Sequence, residues 1–157
     1  MPRAEIAVPA LDTMFKRLKG LMPVLHSCRV NKPYLPVLVH LPSATLVEVD
    51  DVLRFTSGRL TTLDLYTPEV PLGFDIDGYK ALCRENAATS DRWRYGLASK
   101  MFGFHGVQNQ RAYEDAIRDL ASWVMGLSPL IRVAAIDGDG VAAYARAKDV
   151  LLSKLPS

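Results

Sequence analysis

Four aspartates stand in two short pairs that could bring carboxylates to a metal ion. Asp75 and Asp77 alternate in GFDID, and Asp137 and Asp139 alternate with glycines in AIDGDG, before a predicted helix. Carboxylates so placed could hold Mg²⁺, and a helix N-terminus could hold a phosphate. The spacing matches neither the calcium-loop nor the phosphate-loop pattern. Helix caps and solvent-facing turns explain these residues better, and a small metal-dependent enzyme using this Asp cluster is the alternative function.

The thiols and imidazoles give weaker indications of chemistry. His26 and Cys28 lie two residues apart, Cys83 lies inside a predicted helix, and the sequence contains no CxxC pair, HExxH motif or nucleophile elbow. A metal site needs three or four ligands, and these residues supply at most two close together. We therefore expect no catalytic residue, no metal site, no cofactor and free thiols in a reducing compartment.

The segment DRWRYGLASKMFGFHG, residues 91–106, combines residue types that bind nucleic acid. Bases stack on aromatic rings, and basic groups neutralise phosphates. Its aromatic and basic candidates are Trp93, Tyr95, Phe102 and Phe104 with Arg92, Arg94 and Lys100. The i, i+2 spacing of the aromatics also fits two half-buried strands, so a hairpin packed on the core is the favoured interpretation. A nucleic-acid surface and a protein-binding patch are the alternatives.

A second basic group lies on the first predicted helix, PALDTMFKRLKGLMP. Apolar residues at helical spacing predict its buried stripe: Leu11, Met14, Phe15, Leu18, Leu21 and Met22. Pro9 suits the first turn, and Gly20 marks the end. The opposite face is basic and, with residues 91–106, completes the candidate nucleic-acid or partner-binding set: Lys16, Arg17, Lys19, Arg92, Trp93, Arg94 and Lys100.

Strands and helices must position these candidates. Apolar and β-branched runs predict strands at 35–41, 44–49, 52–56 and 59–67, with further candidates at 70–77 and 128–136. Helices are predicted at 77–86, 109–126 and 137–155, the last with Val141, Tyr144, Leu151 and Leu152 near its inner face. This order predicts an α+β fold in a single domain of residues 1–157. We expect an antiparallel sheet of about four to five strands, packed with the N-terminal amphipathic helix and C-terminal helices.

Composition excludes several classes of protein. The chain has 157 residues, an apolar fraction of 49% and a charged fraction of 23%, close to soluble globular averages. Its net charge of +2 excludes a strongly basic nucleic-acid domain but leaves room for a local basic face. No apolar run approaches the ~18 residues of a membrane helix, and the N-terminus lacks a signal-peptide core, so we expect a cytoplasmic protein with no membrane partner.

Residues 5–85 resemble one domain of the bacterial DNA sliding clamp, the β subunit of the replicase. The resemblance is carried by ALDTMFKRLKGLMP as a first helix, LPVLVHL as a strand and LRFTSGRLTTLDLYTPEVPLGFDIDGYKALC as strand, turn, strand, acidic loop, strand and helix. It implies an antiparallel sheet backed by helices whose basic faces turn towards DNA. By that analogy the DNA-facing residues would be Lys16, Arg17, Lys19, Lys80 and Arg84.

The absence of a catalytic constellation and the two groups of basic and aromatic residues point to binding. We predict a non-catalytic interaction domain that binds a protein or nucleic-acid partner, DNA included, and that self-associates as a homodimer. The alternatives are a DNA-associated accessory protein with a clamp-like sheet and the metal-dependent enzyme described above. Fold analogy alone does not establish a function, so the surface that binds must be located in the structure.

Overall fold

The computed structural model describes residues 2–21, 37–40, 44–93, 97–104 and 106–154. In chain order its elements are helix α1 (Arg3–Arg17), strands β1 (Val37–His40) and β2 (Thr45–Asp51), a 3₁₀ turn (Val52–Arg54), helices α2 (Ser57–Leu63), α3 (Ile76–Ser90) and α4 (Val107–Val124), strand β3 (Ile131–Ala135) and helix α5 (Gly140–Lys154). The fold is therefore α+β, as predicted.

The sheet differs from the prediction in size and direction. Its described strands lie in the order β1–β2–β3, with β1 antiparallel to β2 and β2 parallel to β3. The prediction of an antiparallel sheet with about four to five strands is therefore wrong for the described part of the chain. Two parallel neighbours require a long crossover, and here helices α2, α3 and α4 all lie between β2 and β3 in the sequence.

The predicted strand at 59–67 is mostly a helix. Thr56 is extended, and its hydroxyl accepts a hydrogen bond from the Arg59 backbone N–H at 3.0 Å, which caps the first turn of α2. Leu60 and Leu63 are spaced three residues apart, as on one face of a helix. The predicted strands at 52–56 and 70–77 are also wrong, since they form the 3₁₀ turn, irregular backbone and the start of α3.

Helix α1 begins earlier than predicted and ends in a left-handed residue. It starts at Arg3, so Pro9 lies inside the helix rather than in its first turn. The predicted stripe is confirmed at Met14, Phe15 and Leu18, which are buried, and is wrong at Leu21, which is 45% exposed beyond the end of the helix. Met22 lies outside the described residues. After α1, Lys19 adopts a φ of 61° and Gly20 N–H donates to Phe15 O at 2.8 Å. Gly20 is required because a Cβ there would lie 2.4 Å from the Phe15 ring.

Helices cover the two faces of the sheet differently. On one face α5 packs on β3 through Ala143 and Leu151, which contact Ile131 and Val133. The other face meets α4, where the side chain of Arg132 on β3 lies against Asp115 and Asp119. Away from the sheet, the Phe15 ring of α1 packs between Phe102 at 5.1 Å and Tyr113 at 5.2 Å. The two sides of the sheet therefore carry α4 and α5 separately. In the described ranges no helix is long and apolar enough to cross a membrane.

The inner face of α5 is narrower than predicted. Leu151 is buried as expected, but Val141 is 81% exposed, and Tyr144 and Leu152 are more than half exposed. The helix meets the sheet instead through small residues, Ala143 and Ala147. Small side chains let a helix backbone lie close to β3, which leaves the larger residues outside the contact.

Candidate functional site: the N-terminal end of α4

In its described residues, 91–93, 97–104 and 106, the segment 91–106 does not show the predicted packed hairpin. Its only described bridge is the pair Ser99 and Gly103, which exchange two backbone hydrogen bonds of 2.8 Å. This small loop buries Phe102, which is 5% exposed, and leaves Phe104 79% exposed. The two rings therefore point to different environments, contrary to the shared face that the hairpin required. Arg94 and Tyr95 lie outside the described residues.

Three consecutive polar residues in the first turn of α4 bind three separate segments. Gln108 donates through Nε2 to the backbone carbonyls of Asp91, at 3.1 Å, and of Trp93. Asn109 donates through Nδ2 to the carbonyl of Leu18, at 3.0 Å, at the end of α1. Buried or half-buried side-chain bonds of this kind fix backbone segments, since breaking one leaves a polar group unpaired.

The third anchor joins the Ser99–Gly103 loop to the same turn. Ser99 Oγ donates to Gln110 Oε1 at 2.5 Å, and the Phe102 backbone N–H donates to Ser99 Oγ at 3.2 Å. Leu21, just beyond α1, also donates its N–H to the Met101 carbonyl at 2.7 Å. The end of α1, the loop 99–103 and residues 91–93 are therefore held around one helix terminus.

This anchoring brings together some of the predicted binding residues. We call the resulting region the α4 N-terminal surface, and define it by Lys19, Arg92, Trp93, Lys100, Phe104 and Arg111. Lys19, Arg92 and Lys100 are exposed, and Trp93 is half-buried. The Arg111 guanidinium lies 5.0 Å from the centroid of the Trp93 ring, a cation–π contact that the sequence analysis did not anticipate.

The remaining basic candidates have other described neighbours. Lys16 is paired with Asp12 one turn earlier, at 2.6 Å. Arg17 lines a shallow depression with Thr61, Asp64 and Leu65. Of the residues implied by the clamp resemblance, Lys80 is paired with Asp64 at 3.0 Å, and Arg84 is exposed on α3. Lys16, Arg17 and Lys19 are all exposed, and the basic face of the first helix stays a prediction.

A second polar feature lies between the sheet and the crossover helices. Four carboxylates and four guanidinium groups pair there, with every carboxylate buried. We call this set the buried ion network; its members are Glu48, Asp50, Arg54, Arg59, Asp115, Arg118, Asp119 and Arg132. Its opposite charges are equal in number, which satisfies the requirement that buried charges be compensated.

Arg132 is the centre of this network. Its Nη1 donates to both carboxylate oxygens of Asp50, at 3.0 and 3.1 Å, and its Nε donates to Asp119 at 2.6 Å. The guanidinium also lies 3.3 Å from Glu48 and 3.7 Å from Asp115. One side chain on β3 thus contacts all four carboxylates, on β2 and on α4.

The remaining arginines complete the network at its inner and outer ends. At the inner end, Arg59 on α2 donates to Asp119 at 2.7 Å, and the Tyr66 hydroxyl donates to the same carboxylate at 2.7 Å. At the outer end, Arg118 contacts Glu48 through two bonds of 3.1 Å and Arg54 contacts Asp115 at 3.1 Å. The side chains of Arg54 and Arg118 are 18% and 17% exposed, so only this end reaches solvent.

Burial and pairing shift the two inner carboxylates in opposite directions. Burial raises the pKa of Asp50 to about 6, against the opposing effect of Arg132 and with a further increase from Asp115 and Glu48. Burial alone would also raise the pKa of Asp119, but Arg132 and Arg59 outweigh it and hold that pKa below its usual value. The same set of charges therefore contains one carboxylate that titrates readily and one that stays ionised.

The network does not supply an activated nucleophile. Burial raises the pKa of the Cys83 thiol to about 11, so the thiol is protonated near neutral pH. Burial likewise raises the pKa values of Tyr66 and Tyr79 above their usual range. The buried side-chain nitrogen and oxygen atoms of the network all have hydrogen-bond partners. The arrangement is therefore suited to fixing α2 and α4 on the sheet, and so to fixing the surface at the end of α4.

The four aspartates considered at first do not form a metal group. Asp75 caps α3 by accepting from Asp77 N–H at 3.1 Å. Asp139 accepts from two N–H groups in the first turn of α5, and Asp137 is paired with Arg146 at 3.2 Å. Across the described ranges, no three His, Cys, Asp or Glu side chains converge as metal ligands would. Their observed bonds are those of helix caps and a surface ion pair.

The buried ion network was not predicted, although its residues follow a pattern in the sequence. In TLVEVDD, Glu48 and Asp50 alternate with Val47 and Val49. The two acids therefore lie on one face of the strand, and the two valines lie on the opposite face. Arg132 occupies the matching position in IRVAA, and Asp115, Arg118 and Asp119 recur at helical spacing on α4. Acidic and basic residues that each recur on one face of β2, β3 and α4 would have indicated that these side chains pair with one another.

Comparison with known proteins identifies a family but no characterised relative. No curated protein and no solved structure matches the chain. The clamp resemblance therefore stays a prediction from sequence, and α2 lies where its threonine-aspartate strand was expected. Residues 13–153 match a family of unknown function, DUF7255. Because this match spans most of the sequence, the chain belongs to the DUF7255 family.

Proposed function

We propose that this protein is a non-catalytic binding domain that holds an anionic partner on the α4 N-terminal surface. The observation that carries the proposal is the set of anchors at Gln108, Asn109 and Gln110. They hold three segments around one helix terminus, and each segment contributes a basic residue: Arg92, Lys19 and Lys100. Basic side chains from separate segments form one surface only when those segments are fixed together.

The backbone contributes charge of the same sign. Helix α4 has 18 residues and begins at Gly106 without a side-chain cap. The N-terminus of such a helix carries about half a positive charge, which adds to the field of the nearby lysine and arginine side chains. The nearby acids already accept hydrogen bonds from neighbouring groups. Asp91 accepts from the Ser57 N–H at 3.1 Å, and Glu114 accepts from Gln110 at 2.8 Å.

The backbone strain at Lys19 supports a role for its side chain. Residues with a Cβ adopt a φ near 60° at a cost of about 1–2 kcal/mol, and glycine is the usual residue at this position after a helix. Lys19 nevertheless has a φ of 61° and is exposed. Strained residues tend to lie at functional positions, which is consistent with a lysine retained for binding.

Salt-dependent elution from immobilised heparin, a general polyanion, tests this proposal. The double variant R92Q/K100Q removes two charges from the α4 N-terminal surface. The control R146Q/K148Q removes the same two residue types from α5, on the other face of the sheet. We expect R92Q/K100Q to elute at clearly lower salt than the control, because fewer counterions are released on binding. Equal elution of the two variants would exclude this surface as the anion-binding one.

The predicted homodimer is a separate proposal, which light scattering after size-exclusion chromatography tests directly. A mass of one chain over the working concentration range would exclude it. The heparin measurement is independent of that outcome, since both double variants can be compared at one protein concentration.

A further inference from the structure

Helices α1 and α4 lie side by side and run antiparallel along most of their length. Where α1 ends and α4 begins, Asn109 Nδ2 donates to the Leu18 carbonyl at 3.0 Å. At the opposite end of the pair, Arg3 Nη1 donates to the Trp123 carbonyl at 2.7 Å. The groove along one side of this helix pair is covered at one end and open at the other.

Aromatic side chains close the groove near the start of α4. The Phe15 ring of α1 lies 5.2 Å from the Tyr113 ring of α4. The Phe102 ring, from the loop 99–103, lies 5.1 Å from the first and 5.8 Å from the second. All three side chains are buried. An apolar side chain from a third segment therefore covers the helix pair at this end.

Exposed apolar residues continue the same two helix faces towards the other end. Val8 lies seven residues before Phe15 on α1, and it is 63% exposed. Ile117 and Val124 lie four and eleven residues after Tyr113 on α4, and they are 38% and 39% exposed. These spacings keep side chains on the helix faces that carry the two rings. We call the stretch between the two helices at Val8, Ile117 and Val124 the α1–α4 groove.

Carboxylates recur on the same two faces. On α1, Glu5 lies three residues before Val8, and Asp12 lies four residues after it. On α4, Glu114 lies three residues before Ile117. Residues three or four apart are neighbours on a helix surface, so these acids flank the apolar residues.

The flanking acids give the groove an excess of negative charge. The cation on these faces is Lys16, which pairs with Asp12 at 2.6 Å. Glu114 accepts a hydrogen bond from the neutral Gln110 side chain at 2.8 Å and keeps its charge. Glu5 is exposed and forms no ion pair within the part of the chain that the structure describes. A ligand with apolar groups between cations would complement this arrangement.

We propose that the α1–α4 groove binds an amphipathic helix of a partner protein, with the apolar face of that helix flanked by lysine or arginine. Such a helix lays its apolar side chains into a groove and keeps its charged side chains at the rim. A second copy of this chain would instead bring a second acidic rim against the first. The inference goes beyond the proposed function, because it concerns another surface and a partner of opposite charge.

Methyl NMR of the labelled chain locates the binding site. The probe is a synthetic leucine–lysine peptide whose leucines recur at helical spacing, and the control peptide has the same composition in scrambled order. We expect the helical peptide to shift the methyl resonances of Val8, Ile117 and Val124. The methyl resonances of Val141 on α5, which is 81% exposed, should stay in place. The scrambled peptide should leave all four residues unchanged.

Fluorescence anisotropy of the labelled helical peptide measures what each side chain contributes. Val8→Ser shortens no buried side chain, and it should weaken binding roughly 10-fold, the scale of losing one well-packed interface residue. Val141→Ser is the matched control and should bind within about 2-fold of the native chain by the same principle. Glu5→Gln should weaken binding more at low salt than at high salt, and Glu85→Gln on α3 should not.

Three outcomes would overturn the inference. The first is equal binding of the helical and scrambled peptides, and the second is Val8→Ser binding like Val141→Ser. The third is a shift of the Val8 and Ile117 resonances when the protein alone is concentrated, which would assign the groove to a second copy. The heparin comparison tests the α4 N-terminal surface separately, so each proposal can fail without the other.

Discussion

Arg132 on β3 and Glu48 on β2 are register partners in the parallel strand pair, and Arg132 Nη1 lies 3.3 Å from Glu48 Oε2. Partners in adjacent strands point to the same face of a sheet, and this face is the one that the crossover helices bury. The ion pair is thus fixed by strand register and is covered by the crossover helices. Removing Arg132 would leave Glu48 without a partner in the sheet, so that only Arg54 and Arg118 would still contact its buried carboxylate.

Replacing Arg132 with methionine is expected to cost about 3–5 kcal/mol in the free energy of unfolding, because four buried carboxylates lose a shared partner. Urea denaturation followed by circular dichroism measures the change. The matched control is Arg146→Met, which removes an exposed pair with Asp137 and should cost less than about 1 kcal/mol. Similar losses for the two variants would show that the network contributes little more than a surface pair.

The pKa of Asp50 predicts a pH dependence with a definite sign. Its folded-state pKa, raised to about 6, exceeds the value of about 3.9 expected when unfolded. Because the folded state binds the proton more tightly, this carboxyl contributes stability that is complete below pH ~4 and is lost as pH rises through ~6. The free energy of unfolding of the native chain, relative to Asp50→Asn, should therefore decrease between pH 4 and 6.

Carbon-13 NMR of the aspartate carboxyls gives a direct check of that sign. The Asp50 resonance should titrate with a midpoint near pH 6, while Asp119, whose pKa is lowered, should not titrate in that interval. A midpoint for Asp50 below pH 4 would contradict the prediction. It would mean that Arg132 outweighs burial.

Two substitutions at Lys19 should separate charge from backbone strain. Lys19→Gly relieves the φ of 61° and should raise the free energy of unfolding by about 0.5–1 kcal/mol. Lys19→Ala keeps the Cβ and the strain, so it should give no such increase. Both variants should elute from heparin at lower salt than the native chain. An unchanged elution for both would show that Lys19 does not contact the anion.

Gly73 should be intolerant of any side chain. A Cβ at this position would lie 2.3 Å from the Leu130 carbonyl oxygen, and backbone atoms cannot move aside as a flexible side chain can. We expect Gly73→Ala to cost about 2–3 kcal/mol in urea denaturation. Gly140→Ala is the control, because no atom lies within 4 Å of its Cβ position, and it should change stability by less than about 0.5 kcal/mol.

The elements that the sequence predicts well are those in which apolar residues recur at one regular spacing or form one continuous run. Met14, Phe15 and Leu18 predicted the buried stripe of α1, and the helix predicted at 109–126 is α4, Val107–Val124. The strand at 131–135 also follows from its apolar run. These patterns depend mainly on local periodicity, which a sequence displays directly.

The elements that the sequence predicts poorly are those whose secondary structure depends on contacts with distant parts of the chain. Helix α2 has seven residues, and the β-branched Thr61 and Thr62 favoured a strand. In the fold Arg59 is buried against Asp119 on α4, a contact 60 residues away that no local window contains. The ion network was missed for the same reason, since charged residues are usually exposed and each member alone looks like a surface residue.

The candidate surface was predicted in part. The segment 91–106 and Lys19 contribute to it, but the Arg111–Trp93 stack and the anchors at Gln108, Asn109 and Gln110 were not foreseen. Glutamine and asparagine in a helix give no sequence pattern that distinguishes an anchor from a solvated side chain. Their role becomes visible only when the carbonyl groups that they bind are located.

The equal numbers of carboxylates and guanidinium groups in the buried ion network constrain how this family can vary. Neutralising a single arginine inside it leaves an excess of buried negative charge, which would be selected against. Tolerated change should instead occur as concerted exchanges, in which an acid on β2 or α4 and an arginine facing it disappear together. Members of the family should therefore differ there by charge-neutral pairs, so that an arginine lost at position 132 is accompanied by loss of an acid at 48, 50, 115 or 119.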